Sequence, residues 1–139
     1  MQVHVYHGDS IRLFAQLFQA RNAAAYNRLI ERNERELIEA FEFIKSGRDE
    51  SFNWLLDRKH FEVAAFANAV RGDKKAFVWL MQNKSIFWAA TANAVNKDKD
   101  AMLWLKRNNF LVYAALAEAI IEFNKFNNED FAGYYKSPF

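Results

Sequence analysis

The chain repeats itself every 25 residues, and that period limits its possible folds more than any other feature. Trp54, Trp79 and Trp104 fall one period apart in three segments that align without gaps. Residues 48–72 read RDESFNWLLDRKHFEVAAFANAVRG, residues 73–97 read DKKAFVWLMQNKSIFWAATANAVNK, and residues 98–122 read DKDAMLWLKRNNFLVYAALAEAIIE. Shared columns include Trp-Leu, Ala64/Ala89/Ala114, Ala67/Ala92/Ala117, Ala69/Ala94/Ala119 and Val70/Val95/Ile120. A weaker copy occupies residues 23–47, with Leu29-Ile30 in place of Trp-Leu, Ala40 matching Ala65 and Gly47 matching Gly72. Terminal copies of a repeat are commonly degenerate, because one face meets a cap or solvent.

Each unit reads as two short helices. The first covers about residues 49–57, where Phe52, Leu55 and Leu56 make one apolar stripe at 100° per residue and Trp54 sits on its edge. Asp49, Asp73 and Asp98 are expected as N-caps, because a carboxylate accepts the free N–H groups of a first turn. The polar trios Arg58-Lys59-His60, Asn83-Lys84-Ser85 and Arg107-Asn108-Asn109 mark turns. The second helix, about residues 60–71, is apolar nearly all round and must be buried on several sides. Gly47 and Gly72 suit its C-terminal end, where a left-handed residue is needed. One continuous helix is the rival, but caps, polar trios and glycines break it at regular points. With only 4 Gly and 1 Pro, the chain lacks the turn residues of a β-rich fold.

The expected architecture is all-α, a right-handed α-solenoid of helical hairpins in a single domain over residues 1–139. An N-terminal arm and cap helix take residues 1–22, repeats take 23–47, 48–72, 73–97 and 98–122, and a C-terminal cap and tail take 123–139. The cap helix should start at Asp9 or Ser10 and run through Ile11, Leu13, Phe14, Leu17 and Phe18, after an extended arm over residues 2–6. The last helix should reach about Phe126, with Phe131, Tyr134, Tyr135 and Phe139 folding back over the final hairpin. Hairpins stacked at about 10 Å per layer would make an elongated body roughly 40 Å long.

Function has fewer handles. Asn68, Asn93 and Glu118 share one column in an apolar setting, where an amide needs hydrogen-bond partners. One role for the column is structural, tying each hairpin to neighbouring backbone. The other is a ladder along a concave groove that holds an extended peptide. Trp54, Trp79 and Trp104 form a second ladder, suited to packing between hairpins or, where exposed, to a partner surface. In these ladders the chain resembles the armadillo class of α-solenoids, whose Asn and Trp ladders hold peptide backbones. The resemblance is one of architecture, HEAT- or armadillo-like; these units are shorter and match no motif of that family, so no binding residue carries over. It implies a non-catalytic module that binds a protein or peptide.

The alternative is a nucleic-acid binder. Lys59 and Lys84 share one column, Lys74 and Lys99 another, and two basic rows could track phosphates. The net charge is only +2, however, and Asp73, Asp98 and Asp100 flank the rows. No nucleophile–base motif or phosphate loop stands out, so no enzyme and no cofactor is expected. Glu31, Glu34, Glu36, Glu39 and Glu42 interleave with Arg28, Arg32 and Arg35 as a solvated helix would. His4, His7 and His60 lack an accompanying ligand set, so no metal site is expected. The chain has no Cys, no basic-then-apolar leader at its start and no apolar run long enough to span a bilayer. Those features give the expectation of a cytoplasmic protein with no membrane contact; oligomeric state is left open.

Overall fold

The computed structural model describes residues 5–19 and 22–126, which hold nine helices and no strand. They are α1 (Gly8–Leu17), α2 (Ala23–Glu31), α3 (Arg35–Ser46), α4 (Asp49–Asp57), α5 (Phe61–Val70), α6 (Lys74–Gln82), α7 (Ile86–Val95), α8 (Lys99–Arg107) and α9 (Leu111–Phe126). The expectations for residues 1–4 and for the aromatic tail (Phe131, Tyr134, Tyr135, Phe139) lie outside the described residues.

Local chemistry explains the helix ends. The helices α2, α4, α6 and α8 all stop in the same way, on a left-handed residue: Asn33 (φ 58°), Lys59 (φ 63°), Lys84 (φ 62°) and Asn109 (φ 63°). The following N–H returns to the carbonyl five residues back: Glu34 to Leu29 and His60 to Leu55 at 2.9 Å, Ser85 to Leu80 at 2.9 Å, Phe110 to Leu105 at 2.8 Å. This closes the orphan carbonyls of the last turn. The second helices end likewise at Gly72 (φ 104°) and Lys97 (φ 76°). Asp73 and Asp98 then cap the next helices, accepting from the N–H of Lys75 at 3.1 Å and of Asp100 at 3.0 Å. Two expected helix starts need correction. In α4 the N-cap is Arg48 and Asp49 lies in the first turn, because the aspartate stands one position later than in the other two units. In α1 the N-cap is His7, whose Nδ1 accepts from the Asp9 N–H, so the helix begins before Asp9 and Ser10.

Burial shows which columns face inward. In α2, α4, α6 and α8 one leucine column is fully buried, Leu29, Leu55, Leu80 and Leu105 each standing at 0% exposure. A small residue precedes each by four: Ala25, Ser51, Ala76 and Ala101. Leu29 therefore matches Leu55, one register step away from the Trp-Leu alignment; Arg28 stands at the Trp position. Burying a leucine side chain is worth about 1.5–3 kcal/mol, so this column is a main source of cohesion. Neighbouring units are also tied by side chain to backbone. Buried Arg71 donates from Nη1 to the carbonyls of Phe43, at 3.2 Å, and Ile44, capping α3. One period later Asn96 donates to the Ala69 carbonyl at 3.0 Å, capping α5.

The helices form two layers. Helices α1, α3, α5, α7 and α9 make a closed cycle of contacts, each touching the next and α9 touching α1. Helices α2, α4, α6 and α8 lie outside, each wedged between two consecutive inner helices. The helix expected as an N-terminal cap is thus an inner helix, and the ends of the repeat array meet instead of standing about 40 Å apart. The physical reason is that α1 is apolar on several faces, burying Ile11, Leu13, Phe14, Ala15 and Leu17. At the centre, Phe14 packs edge-on to Phe66 of α5 (6.1 Å) and Trp88 of α7 (6.3 Å). Phe18 reaches Phe41 of α3 (4.9 Å) and Phe123 of α9 (5.7 Å). The space where a concave groove would lie is filled by these rings.

Candidate functional site

Two regions of this ring stand out. The first is the seam between α9 and α1. Every other neighbouring pair of inner helices is bridged by an outer helix; among the described residues this pair is not. A cavity of about 660 Å³ lies there, lined by Leu17 and Phe18 of α1, Phe41 and Lys45 of α3, and Ala115, Glu118, Ala119, Glu122 and Phe123 of α9. Its floor is aromatic and its edges are charged. Ala115 is exposed, whereas the equivalent Ala65 is buried and Ala90 half-buried.

The second region is the rim where the inner helices begin. The chain reverses within each hairpin, so the N-termini of α3, α5, α7 and α9 come to one end, and the start of α1 joins them through Tyr6. The Tyr6 hydroxyl donates to Glu36 Oε2 at 2.8 Å, and Ser85 Oγ donates to Glu62 Oε2 at 2.7 Å. Both glutamates lie in a first helical turn, where the helix dipole favours a carboxylate. Burial raises the Tyr6 phenol above its usual range, and the Glu36 carboxylate beside it adds to the shift. Burial likewise raises Tyr113, with the charge of Glu62 second. A cavity of about 300 Å³ opens here between Tyr6, Glu36, Glu62 and Trp88 inside and Arg58 and Lys59 outside.

The residues singled out by sequence are scattered. Asn68 is wholly buried and its amide donates to Asp73 Oδ2 at 3.4 Å, so it braces the cap that opens the next unit. Asn93 is half-buried, and Glu118 is exposed with Lys106 Nζ at 3.4 Å. The three residues of the column thus differ in burial and partners, and Glu118 lines the cavity at the seam. The Trp column is half-buried throughout. The Arg58 and Arg35 guanidiniums sit over Trp54 at 4.4 and 4.7 Å, and His60 stacks on it at 5.7 Å. Trp104 stacks on Phe110 at 5.5 Å. The equivalent of those stacking rings in the middle unit is Ser85, and a shallow cavity of about 310 Å³ borders Trp79 together with Lys74, Lys75, Val78 and Gln82. Lys74 and Lys99 begin α6 and α8, whereas Lys59 and Lys84 follow the ends of α4 and α6. A nine-residue helix is about 14 Å long, so the two basic rows lie at opposite ends of the outer helices.

Sequence reasoning missed an exposed apolar row. Phe61 (37%), Ile86 (42%) and Leu111 (59%) occupy the first residue of α5, α7 and α9, one period apart. Their spacing was visible; their exposure was not, because they adjoin a helix that is otherwise buried. No cluster of His, Asp or Glu among the described residues has the geometry to hold a metal ion. Among them, too, no helix is long and apolar enough to cross a membrane. Comparison of the chain with protein-family models, curated proteins and solved structures returns no match.

Proposed function

We propose that the chain is a non-catalytic helical-repeat module that docks an amphipathic helix of a protein partner into the seam between α9 and α1. The observation that carries this reading is the gap in the outer layer. Each filled position holds a nine-residue helix that buries a small residue and a leucine four residues later, as Ala76 and Leu80 do in α6. A partner helix with that face would complete the pattern, laying its apolar stripe on Phe18, Phe41 and Phe123 and its flanking charges near Lys45, Glu118 and Glu122. The hairpins on this reading follow a right-handed solenoid path bent round until α1 closes it, in a cytoplasmic protein. Separation of the lysine rows favours a protein over a nucleic acid, since phosphate tracking gains from basic groups on one surface.

The test is titration of a labelled helical peptide carrying Ala-x-x-x-Leu faces, read by anisotropy. It uses the full chain, a chain ending at residue 126, and Ala115→Glu in each. Ala115 is exposed, so the substitution leaves the core intact. Saturable binding that Ala115→Glu weakens at least about tenfold supports the reading; tenfold is 1.4 kcal/mol, less than one buried leucine. No binding by either chain length, with duplex or single-stranded DNA binding instead, overturns it. Binding by the shorter chain alone would show that the chain's own continuation competes for the seam.

A further inference from the structure

The exposed apolar side chains are not spread evenly over the ring. Of the large ones, Val5, Ile30, Phe61, Met81, Ile86 and Leu111 stand at the rim where the inner helices begin, and Tyr26, Val78 and Leu103 lie midway along outer helices. The opposite end has none among the described residues. The rim is continuous from one helix start to the next: Tyr6 bonds to Glu36, Ser85 bonds to Glu62, and Phe87 packs on Phe110 at 5.9 Å. Phe61, Ile86 and Leu111 therefore form a row across α5, α7 and α9, about 16–20 Å long for neighbouring axes about 8–10 Å apart. Cations accompany the row. Lys59 and Lys84 stand two positions before Phe61 and Ile86, and Arg107 stands four before Leu111. All three are exposed, and none forms an ion pair among the described residues. The turns over residues 57–62, 82–87 and 106–112 hold five Lys and Arg against Asp57 and Glu62. That surplus of three exceeds the +2 of the whole chain, so positive charge collects where apolar surface is exposed.

We infer that this rim docks on an anionic lipid bilayer, with Phe61, Ile86 and Leu111 entering the headgroup layer and Lys59, Lys84 and Arg107 held at the level of the lipid phosphates. Each half of the pattern selects the occupant. A nucleic acid would use the cations but leave Ile86 and Leu111 without a role, because bases stack on aromatic rings. A protein interface is depleted in lysine relative to the rest of the surface. At a bilayer the two residue types work together: apolar side chains leave water, while the stems of lysine and arginine lie along them with the charge outermost. Docking of this kind departs from the expectation of no membrane contact, yet it needs no spanning helix, and none is present among the described residues. Anionic lipids are carried by the cytoplasmic leaflet, the side on which the chain is proposed to work. The seam cavity is lined by the second halves of α1 and α3, away from this rim, so the inference does not depend on the seam being an interface.

The experiment is co-sedimentation of the full chain with vesicles of phosphatidylcholine alone or with about one-third phosphatidylserine. The chain should pellet with the anionic vesicles and stay in solution with the neutral ones, and added salt should release it. Leu111→Ser should weaken binding at least about tenfold, which is less than the full burial of a leucine is worth. Lys59→Asn combined with Lys84→Asn should weaken it about twentyfold, from about fivefold for each charge at the surface. Asn accepts the left-handed φ of 63° and 62° at these positions, and Leu111 is 59% exposed, so the variants keep the fold, which circular dichroism checks. Lys75→Gln combined with Lys97→Asn removes the same charge from the opposite end and should change binding by less than about twofold. No pelleting with anionic vesicles at millimolar lipid and about 0.1 M salt overturns the inference. Equal losses from the rim pair and the opposite-end pair overturn it too, as does duplex DNA binding in place of vesicle binding.

Discussion

Replacing Phe14 with alanine separates a closed ring from an open array with a helix laid on its end. Phe14 is 0% exposed and its ring meets Phe18, Phe66 and Trp88 at 5.8, 6.1 and 6.3 Å. Truncating a fully buried phenylalanine costs about 3–5 kcal/mol in lost transfer energy and cavity formation. Edge-on aromatic pairs add about 0.5–1.5 kcal/mol each beyond area, so the upper half of that range is expected. The cost should not relax away, because Phe66 and Trp88 belong to α5 and α7, each held by its own hairpin. Urea unfolding followed by circular dichroism gives the difference, and tryptophan emission should shift in the folded variant because Trp88 loses a neighbour. Tyr26→Ala on α2, at 46% exposure, is the control and should change stability by under about 0.5 kcal/mol. A Phe14→Ala cost below about 1 kcal/mol, typical of a surface or end-helix position, would refute the placement of α1 at the centre.

Other perturbations read the repeat more locally. Asp73→Ala and Asp98→Ala should each cost about 1 kcal/mol as lost N-caps, whereas Asp49→Ala, in a first turn, should cost a few tenths through the helix dipole alone; thermal melts of the three variants check the order. Lys97→Gly should stabilise by up to about 1 kcal/mol, since Lys97 holds φ 76° where the preceding unit has glycine. The opposite change, Gly47→Ala, should destabilise, because φ is 70° and the new methyl would come within 3.2 Å of Arg71 Nη2. Alkaline unfolding should begin above pH 10. The phenols of Tyr6 and Tyr113 have folded pKa values raised above the ordinary 10.0. Their neutral forms contribute full stability below that value, and stability is lost above it as the unfolded chain ionises first. Each phenol then contributes a slope of about 1.4 kcal/mol per pH unit, and Tyr113→Phe should flatten the decline.

Helix positions were legible because they depend on local signals. The first helix of the second unit was expected over residues 49–57 and α4 spans them, and the polar trios mark the left-handed turns at Lys59, Lys84 and Asn109. Long-range placement was not legible. The α1 segment reads as apolar, but nothing in its residues says that α9 is its neighbour, since that contact joins the two ends of the array. The register of the first unit differs by one step from the Trp alignment for a related reason: Trp is the conspicuous column, while the burial follows Leu29, Leu55, Leu80 and Leu105. Asn68 and Asn93 stand out as repeated polar residues, yet the bonds that cap one unit's helix from the next come from Arg71 and Asn96, a column with no shared residue type. The candidate sites were hidden more deeply. Of the expected site residues Glu118 lines the seam and Lys59 stands at the mouth of the rim cavity. Glu36 had been counted among solvated charges, and only the approach of Tyr6 from thirty positions away shows it to be buried.

The most direct test of closure is the distance between α1 and α9. The chain has no cysteine, so spin labels can be placed singly at the exposed Gln16 of α1 and Glu122 of α9. Adjacent helix axes lie about 8–10 Å apart, so with label arms a pulsed dipolar measurement should give one narrow distribution near 20–25 Å. A distribution centred near 40 Å, the length of an open stack of hairpins, would contradict the closed ring.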